Sequence, residues 1–259
     1  MTWVQEIVHY RDLFLFLVLR DIKIRYKQTL LGVLWALIQP FCSMVVLTLF
    51  FGRVAGIGSD GTPYPVFVYS ALVPWTYFST ALSASALSMV ANSNLLTKIY
   101  FPRVAIPAAP VLAGLLDFGV AAAFLVALIP YYGMSLQAAL LLWPVLVVPL
   151  SLLAFGLGTI SACLNVRYRD MKYALPFLVQ MLLFATPIIY PLDFIPDSYR
   201  WLAALNPLTG IIEAFRASVI SVRPLDAKLL GLSLAETAVI VGLAIFYLRR
   251  TERVIADIV

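Results

Sequence analysis

Four groups of residues in this chain carry enough charge or hydrogen-bonding capacity to do chemistry. Asp117 stands about 11 residues into an apolar run, roughly 15 Å deep by helix rise. A carboxylate at such depth is costly and calls for a role. It could relay protons, or it could be a hydrogen-bonded structural residue facing a neighbouring helix. A lone acid with no His or Lys at the same depth favours the structural role. Glu213 and Arg216 lie three apart on one helical face, where they can pair. They follow the Asn206-Pro207 break. Buried in protein, the pair would pin the helices around it; in an interface, both side chains would snorkel outward. The segment Arg20-Asp21-Ile22-Lys23-Ile24-Arg25-Tyr26-Lys27 presses a basic patch against the uncharged run Leu30 to Phe51. Last, Lys98-Ile99-Tyr100-Phe101-Pro102-Arg103 sets aromatic residues between basic ones. Protein interfaces favour that composition, although the same side chains could lie back on a bilayer.

Other chemistries find little support. His9 has no cysteine or acidic cluster to join, so no metal site is expected. Cys42 and Cys163 fall in different predicted helices and read as inert packing thiols. Gly56-Ile57-Gly58-Ser59-Asp60-Gly61 matches a dinucleotide fingerprint, but that motif works only between a strand and a helix. Here it falls in a short loop between apolar runs. No G-x-x-x-x-G-K-[ST] occurs, so the chain has no phosphate-binding loop of its own. An embedded enzyme such as a glycosyltransferase would want clustered acids, a metal pair or a nucleophile. The 13 acidic residues are scattered.

The elements that position these groups follow from composition. Of 259 residues, 63% are hydrophobic and 12% charged, and the mean hydropathy is +0.97. That charged share is about half that of a soluble domain, so the bilayer is the expected solvent. Continuous apolar runs such as Ala138 to Val148 do not alternate as barrel strands do. In lipid they must be helices, which satisfy their own backbone. The expected fold is an all-α integral membrane protein forming a single domain over 1–259. Six spans are predicted, near 30–51, 66–90, 106–130, 137–164, 173–191 and 229–248. Trp3, Ile7, Tyr10, Phe14 and Leu17 make a helical stripe, so 2–19 reads as an interfacial amphipathic helix. A signal peptide is the rival for this segment, but charge follows the apolar stretch and no small-residue cleavage site appears. The stretch 201–221 is too short and too broken to cross. It reads as two short re-entrant helices packed against protein.

An even number of spans puts both termini on one side. The segments assigned inside hold 13 of the 18 Lys and Arg residues, which places both termini in the cytoplasm. The +5 net charge reflects this asymmetry and carries no implication of nucleic-acid binding. Trp35, Phe41, Trp75, Tyr77, Phe78, Phe177, Phe184 and Tyr190 lie in spans 1, 2 and 5. Their rings suit the C–H faces of sugars, although interfacial belts and packing compete for each. Ala81, Ala84, Ser85 and Ser88, with Gly158 and Ala162, make small-residue faces for close helix packing.

Taken in order, these pieces resemble the permease subunits of ABC-2 type polysaccharide exporters, those for O-antigen lipopolysaccharide most. The capsule and teichoic acid exporters follow closely. The resemblance rests on Arg20 to Tyr26 with Leu31-Gly32-Val33-Leu34-Trp35 and Pro40, on Val73-Pro74-Trp75 with Tyr77-Phe78, and on Lys98 to Pro102. Asn165 to Asp170, Thr186-Pro187-Ile188-Ile189-Tyr190-Pro191, Asn206-Pro207-Leu208 and Glu213-Ala214-Phe215-Arg216 complete it. It covers nearly the whole chain. It implies a non-enzymatic transport subunit of the bacterial inner membrane that pairs with a second copy. Two copies of a separate ATPase would carry the ATP and magnesium, and a lipid-linked polysaccharide would be the cargo. Lys98, Ile99, Tyr100, Phe101 and Arg103, with Arg20, Lys23 and Arg25, would couple to the ATPase. The eight aromatics would line the path, and Asn206, Pro207, Glu213 and Arg216 would belong to an outer gate. A proton-coupled secondary transporter using Asp117 is the competing class.

Overall fold

The computed structural model describes residues 10–27, 29, 31–59, 61–93, 95, 101–168, 170–220 and 224–258, with side chains as far as Thr251. Among the described residues there are helices and no strand. Ten α-helices follow in order: α1 (Arg11–Tyr26), α2 (Trp35–Leu47), α3 (Tyr64–Ala91), α4 (Ala105–Ala113), α5 (Leu115–Tyr131), α6 (Trp143–Arg167), α7 (Met171–Ala185), α8 (Arg200–Ala204), α9 (Pro207–Val219) and α10 (Ala227–Ile258). A 3₁₀ turn at Gly32–Leu34 leads into α2, and a π-helical stretch at Thr48–Val54 extends it.

Four helical stretches are long and apolar enough to cross a membrane: Gly32–Val54, Ala105–Tyr131, Ala138–Arg167 and Ala227–Thr251. The second joins α4 to α5 through Gly114. α7 is apolar but has 15 residues, short of the roughly 20 that a span needs. α3 has 28 residues, about 42 Å at the α-helical rise. Its serines, threonines, tyrosines and prolines make it less apolar than the four. The packing explains why that is tolerated. α3 is surrounded by α2, α4, α5, α6 and α9, so protein covers it, and most of its residues from Tyr64 to Met89 are buried.

Two boundaries differ from expectation. The interfacial helix runs on to Tyr26 instead of stopping near 19; its first predicted residues, 2–9, lie outside the described set. The basic segment is therefore helical, while the apolar residues before it, Leu13, Phe14 and Leu17, pack in one cluster with Val104, Ile106 and Ala109 of the α4 region. The fifth apolar helix ends at Ala185 instead of 191. Thr186 precedes Pro187 and is extended, as a residue before proline prefers. The segment 201–221 does form two short helices, α8 and α9, and Asn206 caps the second by accepting a hydrogen bond from the Leu208 amide at 3.1 Å.

The small-residue faces of α3 and α6 meet each other, a pairing their spacing alone did not specify. α3 and α6 approach so closely that a Cβ added at Gly158 would collide with the Ser85 side chain. Ser85 itself donates to the Pro107 carbonyl at 2.9 Å, and Asn165 of α6 donates to the Ala86 carbonyl at 2.9 Å. Hydrophobic driving force is weak between helices in lipid, so such contacts hold the bundle. Replacing Gly158 by Leu should therefore lower stability by about 1–3 kcal/mol through overpacking. Thermal unfolding of the detergent-solubilised protein reads this as a lower midpoint. Gly242→Ala, where a Cβ meets open space, should leave the midpoint unchanged.

Candidate functional site

The polar face of α3 runs Thr76, Ser79, Thr80, Ser83, all half-buried. Each of the last three hydroxyls donates back to its own helix: Ser79 to the Thr76 carbonyl at 3.1 Å, Thr80 to the same carbonyl at 2.8 Å, Ser83 to the Ser79 carbonyl at 2.7 Å. This back-bonding satisfies the donors inside the helix and leaves oxygen lone pairs facing outward. Two cavities flank the stripe and share Thr80. One, of about 270 Å³, lies towards α2 and α5 and includes Trp35, Gln39, Asp117 and Phe118. The other, of about 450 Å³, lies between α3 and α7 and is bordered by Trp75, Pro176, Gln180 and Leu183. The result is a cleft with hydroxyls on its floor and amides and rings on its walls.

Of the rings expected to line a path, Trp35 and Trp75 border the two cavities, and Tyr77 forms part of the first. Tyr77 is fixed there, its hydroxyl within hydrogen-bond distance of both the Val111 carbonyl (3.2 Å) and Ser151 Oγ (2.6 Å). Phe78 is wholly buried against Trp75, so its ring serves the core and not a path; the helical turn that exposes Thr76 and Thr80 points Phe78 inward. Phe41, Phe177 and Phe184 are exposed on the outer faces of α2 and α7, with Phe41 also edge-on to Phe124. Tyr190 donates to the Phe184 carbonyl at 2.9 Å.

Two of the residues expected at a gate, Asn206 and Arg216, act on one stretch of chain, 186–188. Arg216 is 1% exposed. It pairs with Glu213, donates to the Pro187 and Ile188 carbonyls at 2.6 and 3.0 Å, and sits 4.0 Å over the Phe67 ring. Asn206 donates to Thr186 Oγ1 at 2.9 Å, and Tyr64 donates to the Ile189 carbonyl at 2.7 Å. Three side chains from two helices thus clamp the irregular segment that follows α7. A guanidinium can do this because its fork serves several acceptors while its face stacks on a ring.

The basic residues are placed less simply. Arg25 forms an ion pair with Asp117, which overturns the reading of that acid as isolated. Arg20 bonds Asp21 and reaches Asn92 Oδ1 at 2.8 Å, tying α1 to the end of α3. Lys23 is exposed. The extension of α1 to Tyr26 is what carries the two arginines onto the bundle. Phe101 is buried with Leu17, Met89 and Val104, a correction to the expectation that it is offered to a partner. Arg103 is half-buried. Lys98, Ile99 and Tyr100 lie outside the described residues. Glu236, which sequence reasoning passed over, sits nine residues into α10 with one carboxylate oxygen buried. A carboxylate inside the last apolar run was its signal.

With the geometry in place, comparison with known proteins defines the class. The family model described as ABC-2 type transporter matches residues 12–220, and the chain belongs to that family. It is 32% identical over 253 residues to the O-antigen export system permease protein RfbA of Myxococcus xanthus, covering 96% of each chain. It is 29% identical over 207 residues to the RfbA of Klebsiella pneumoniae, covering 79% of each. To the polysialic acid transport protein KpsM of Escherichia coli it is 30% identical over 210 residues, covering 78% of this chain and 79% of the relative.

Truncating Arg216 to Ala should cost about 3–5 kcal/mol, because it removes a buried ion pair together with the donors to the Pro187 and Ile188 carbonyls. Arg216→Lys should recover only part, since one ammonium cannot both stack and serve three acceptors. The midpoints of thermal unfolding in detergent, compared across the three proteins, provide the measurement.

Proposed function

We propose that this chain is the transmembrane permease subunit of an ATP-driven exporter that moves a lipid-linked polysaccharide of the O-antigen type across the bacterial inner membrane. The observation that carries the reading is the end-to-end match to an O-antigen export permease, 96% of both chains. The hydroxyl and ring lining of the cleft on α3 supports it, because such surfaces suit neutral sugars. A carrier must hold its cargo weakly and repeatedly, and a path without a charged clamp serves that need.

In this reading six segments cross the bilayer, α3 and α7 among them, and α8 and α9 dip in from the outer side as gate helices. Both termini lie in the cytoplasm, and two copies pair around the path. The chain does no bond-breaking chemistry. ATP and magnesium bind two copies of a partner ATPase, which grips the region Lys98 to Arg103 together with exposed Lys23. Nucleotide binding there shifts the bundle through α1, which Arg20 and Arg25 fasten to α3 and α5.

Co-expression with the cognate ATPase should yield a complex with equal copies of the two chains. Replacing Lys98-Ile99-Tyr100 by three glycines should cut export of lipid-linked glycan at least about tenfold, comparable to losing an interface hot spot, while ATP hydrolysis continues. Export by the permease without any ATPase, or undiminished export after that replacement, would sink the proposal.

A further inference from the structure

Between α6 and α7 the chain reads Arg167-Tyr168-Arg169-Asp170-Met171-Lys172-Tyr173, three cations against one carboxylate. Arg169 lies outside the described residues. Arg167 and Lys172 are exposed, and neither forms an ion pair among the described residues. Arg20, Arg25, Arg200 and Arg216, by contrast, are each paired with an acid. Arg167 and Lys172 instead stand over exposed tyrosines. The Arg167 guanidinium is 5.4 Å from the centre of the Tyr168 ring, and the Lys172 ammonium 4.8 Å from that of Tyr173. A ring restrains a long side chain without cancelling its charge, so the segment presents an ordered positive patch.

Helical register puts this patch at one end of the cleft between α3 and α7. Pro176, Val179, Gln180 and Leu183 form the α7 wall. Lys172 and Tyr173 lie one turn before them on the same face, since Pro176 follows at i+4 and i+3. On α3 the face of Thr76, Thr80 and Ser83 continues at helical spacing to Leu87 and Val90, which are apolar and exposed. Asn165 donates to the Ala86 carbonyl at 2.9 Å, so the end of α6, and Arg167 with it, stands level with Leu87. The mouth of the cleft thus sets apolar side chains on one helix against cations and rings on the other two. Membrane orientation asks only for charge on this side, not for rings beneath it or alignment with a cleft. A neutral sugar has no use for unpaired cations, and a free anion has none for leucine and valine. A lipid whose head is a phosphate ester uses both. Its oxygens accept from the guanidinium and the ammonium, and its chain lies along Leu87 and Val90.

We propose that Arg167, Lys172 and Tyr173 form an entry site for the phosphate ester that joins the cargo lipid to its glycan. The proposal rests on the reading of the chain as an exporter of lipid-linked polysaccharide, and adds the chemistry by which the cargo is captured. In the orientation given above, this end of the cleft faces the cytoplasm. The cations stand at the mouth and the hydroxyl stripe lies beyond them, so charge acts on the head group while the path itself stays neutral. Asp170, within the same segment, tempers the attraction, which lets the phosphate leave again.

The test is phosphorus NMR on the full chain in complex with its ATPase, free of nucleotide, in phosphatidylcholine nanodiscs with dodecyl phosphate as the probe. The monoester resonance, separate from that of the bilayer lipid, should broaden on binding. Arg167→Gln and Lys172→Gln should each weaken binding about three- to tenfold, and Tyr173→Ala by less. Lys172→Arg should keep it. Arg250→Gln, which removes an exposed cation from the end of α10, should leave it unchanged. All these side chains are exposed, so thermal midpoints should not move. If the probe does not bind while the same complex exports a lipid-linked glycan, the site is refuted and the exporter reading stands. If phosphatidylglycerol or inorganic pyrophosphate competes as well as dodecyl phosphate itself, the patch is a general anion surface and the proposal fails. If the two glutamine variants shed the ATPase yet bind the probe as before, the segment is a subunit contact and the proposal fails again. A complex that binds the probe through these residues but exports no glycan counts against the exporter reading alone.

Discussion

A polar group buried inside the bundle has no water to fall back on, and that constraint organises this chain. Arg216 is its sharpest case. The side chain has almost no exposed surface, yet it bonds a carboxylate and two carbonyls and covers a ring. The carbonyls belong to Pro187 and Ile188, in the stretch where Pro187 stops α7 and leaves backbone groups without helical partners. The guanidinium therefore solves two problems at once: it finds acceptors for its own donors and donors for a broken helix. Asn206 and Tyr64 act on the same stretch from either side. A helix end buried in the bundle becomes stable because α9 and α3 bring it what water would have supplied.

The same constraint shapes α3. Its hydroxyls bond their own helix, so they can face a cavity without leaving donors unmet. Such a surface presents acceptors and small dipoles but no fixed charge. It also explains why the longest path-lining candidate is the least apolar of the long helices. The neighbouring helices α2, α4, α5, α6, α7 and α9 shield it from lipid, so its sequence is free to carry serine and threonine where a lipid-facing helix carries leucine and valine.

Much of this was legible in the sequence. Apolar run lengths marked the long helices to within a few residues, Asn206-Pro207 marked the start of α9, and the spacing of Glu213 and Arg216 foretold their pairing. Small residues at 85 and 158 marked faces suited to close packing, and the two faces meet. What could not be read were contacts between helices distant in sequence. Arg25 and Asp117 are separated by 92 positions; helical periodicity says which face each occupies but not which helix that face meets. α3 is covered on most of its sides, so no amphipathic pattern distinguished Phe78 in the core from Thr80 at a cavity. Phe101 escaped for a related reason: an aromatic beside basic residues looks like a docking surface, yet it is buried in a cluster with Leu17 of α1, a contact that periodicity alone does not reveal.

The two ends of the molecule are joined by packed rings. Tyr77 meets Phe118 at 5.6 Å, Phe118 meets Trp143 and Phe215 at 5.7 and 5.9 Å, and Trp143 meets Phe215 edge-on at 4.9 Å. Tyr77 and Phe118 line the cavity under the Arg25–Asp117 pair; Phe215 is the neighbour of Arg216 on α9. Close-packed interiors do not deform gradually, so rings in contact tend to move between discrete arrangements. A shift of α1 that disturbs Arg25 must be felt at Asp117 and its neighbour Phe118, and through that ring at Phe215. Trp143 is itself tethered to α9, donating to Ser218 Oγ at 2.7 Å. The clamp on the segment after α7 and the pocket beside α1 are therefore connected by an unbroken run of ring contacts from Tyr77 through Phe118 to Phe215.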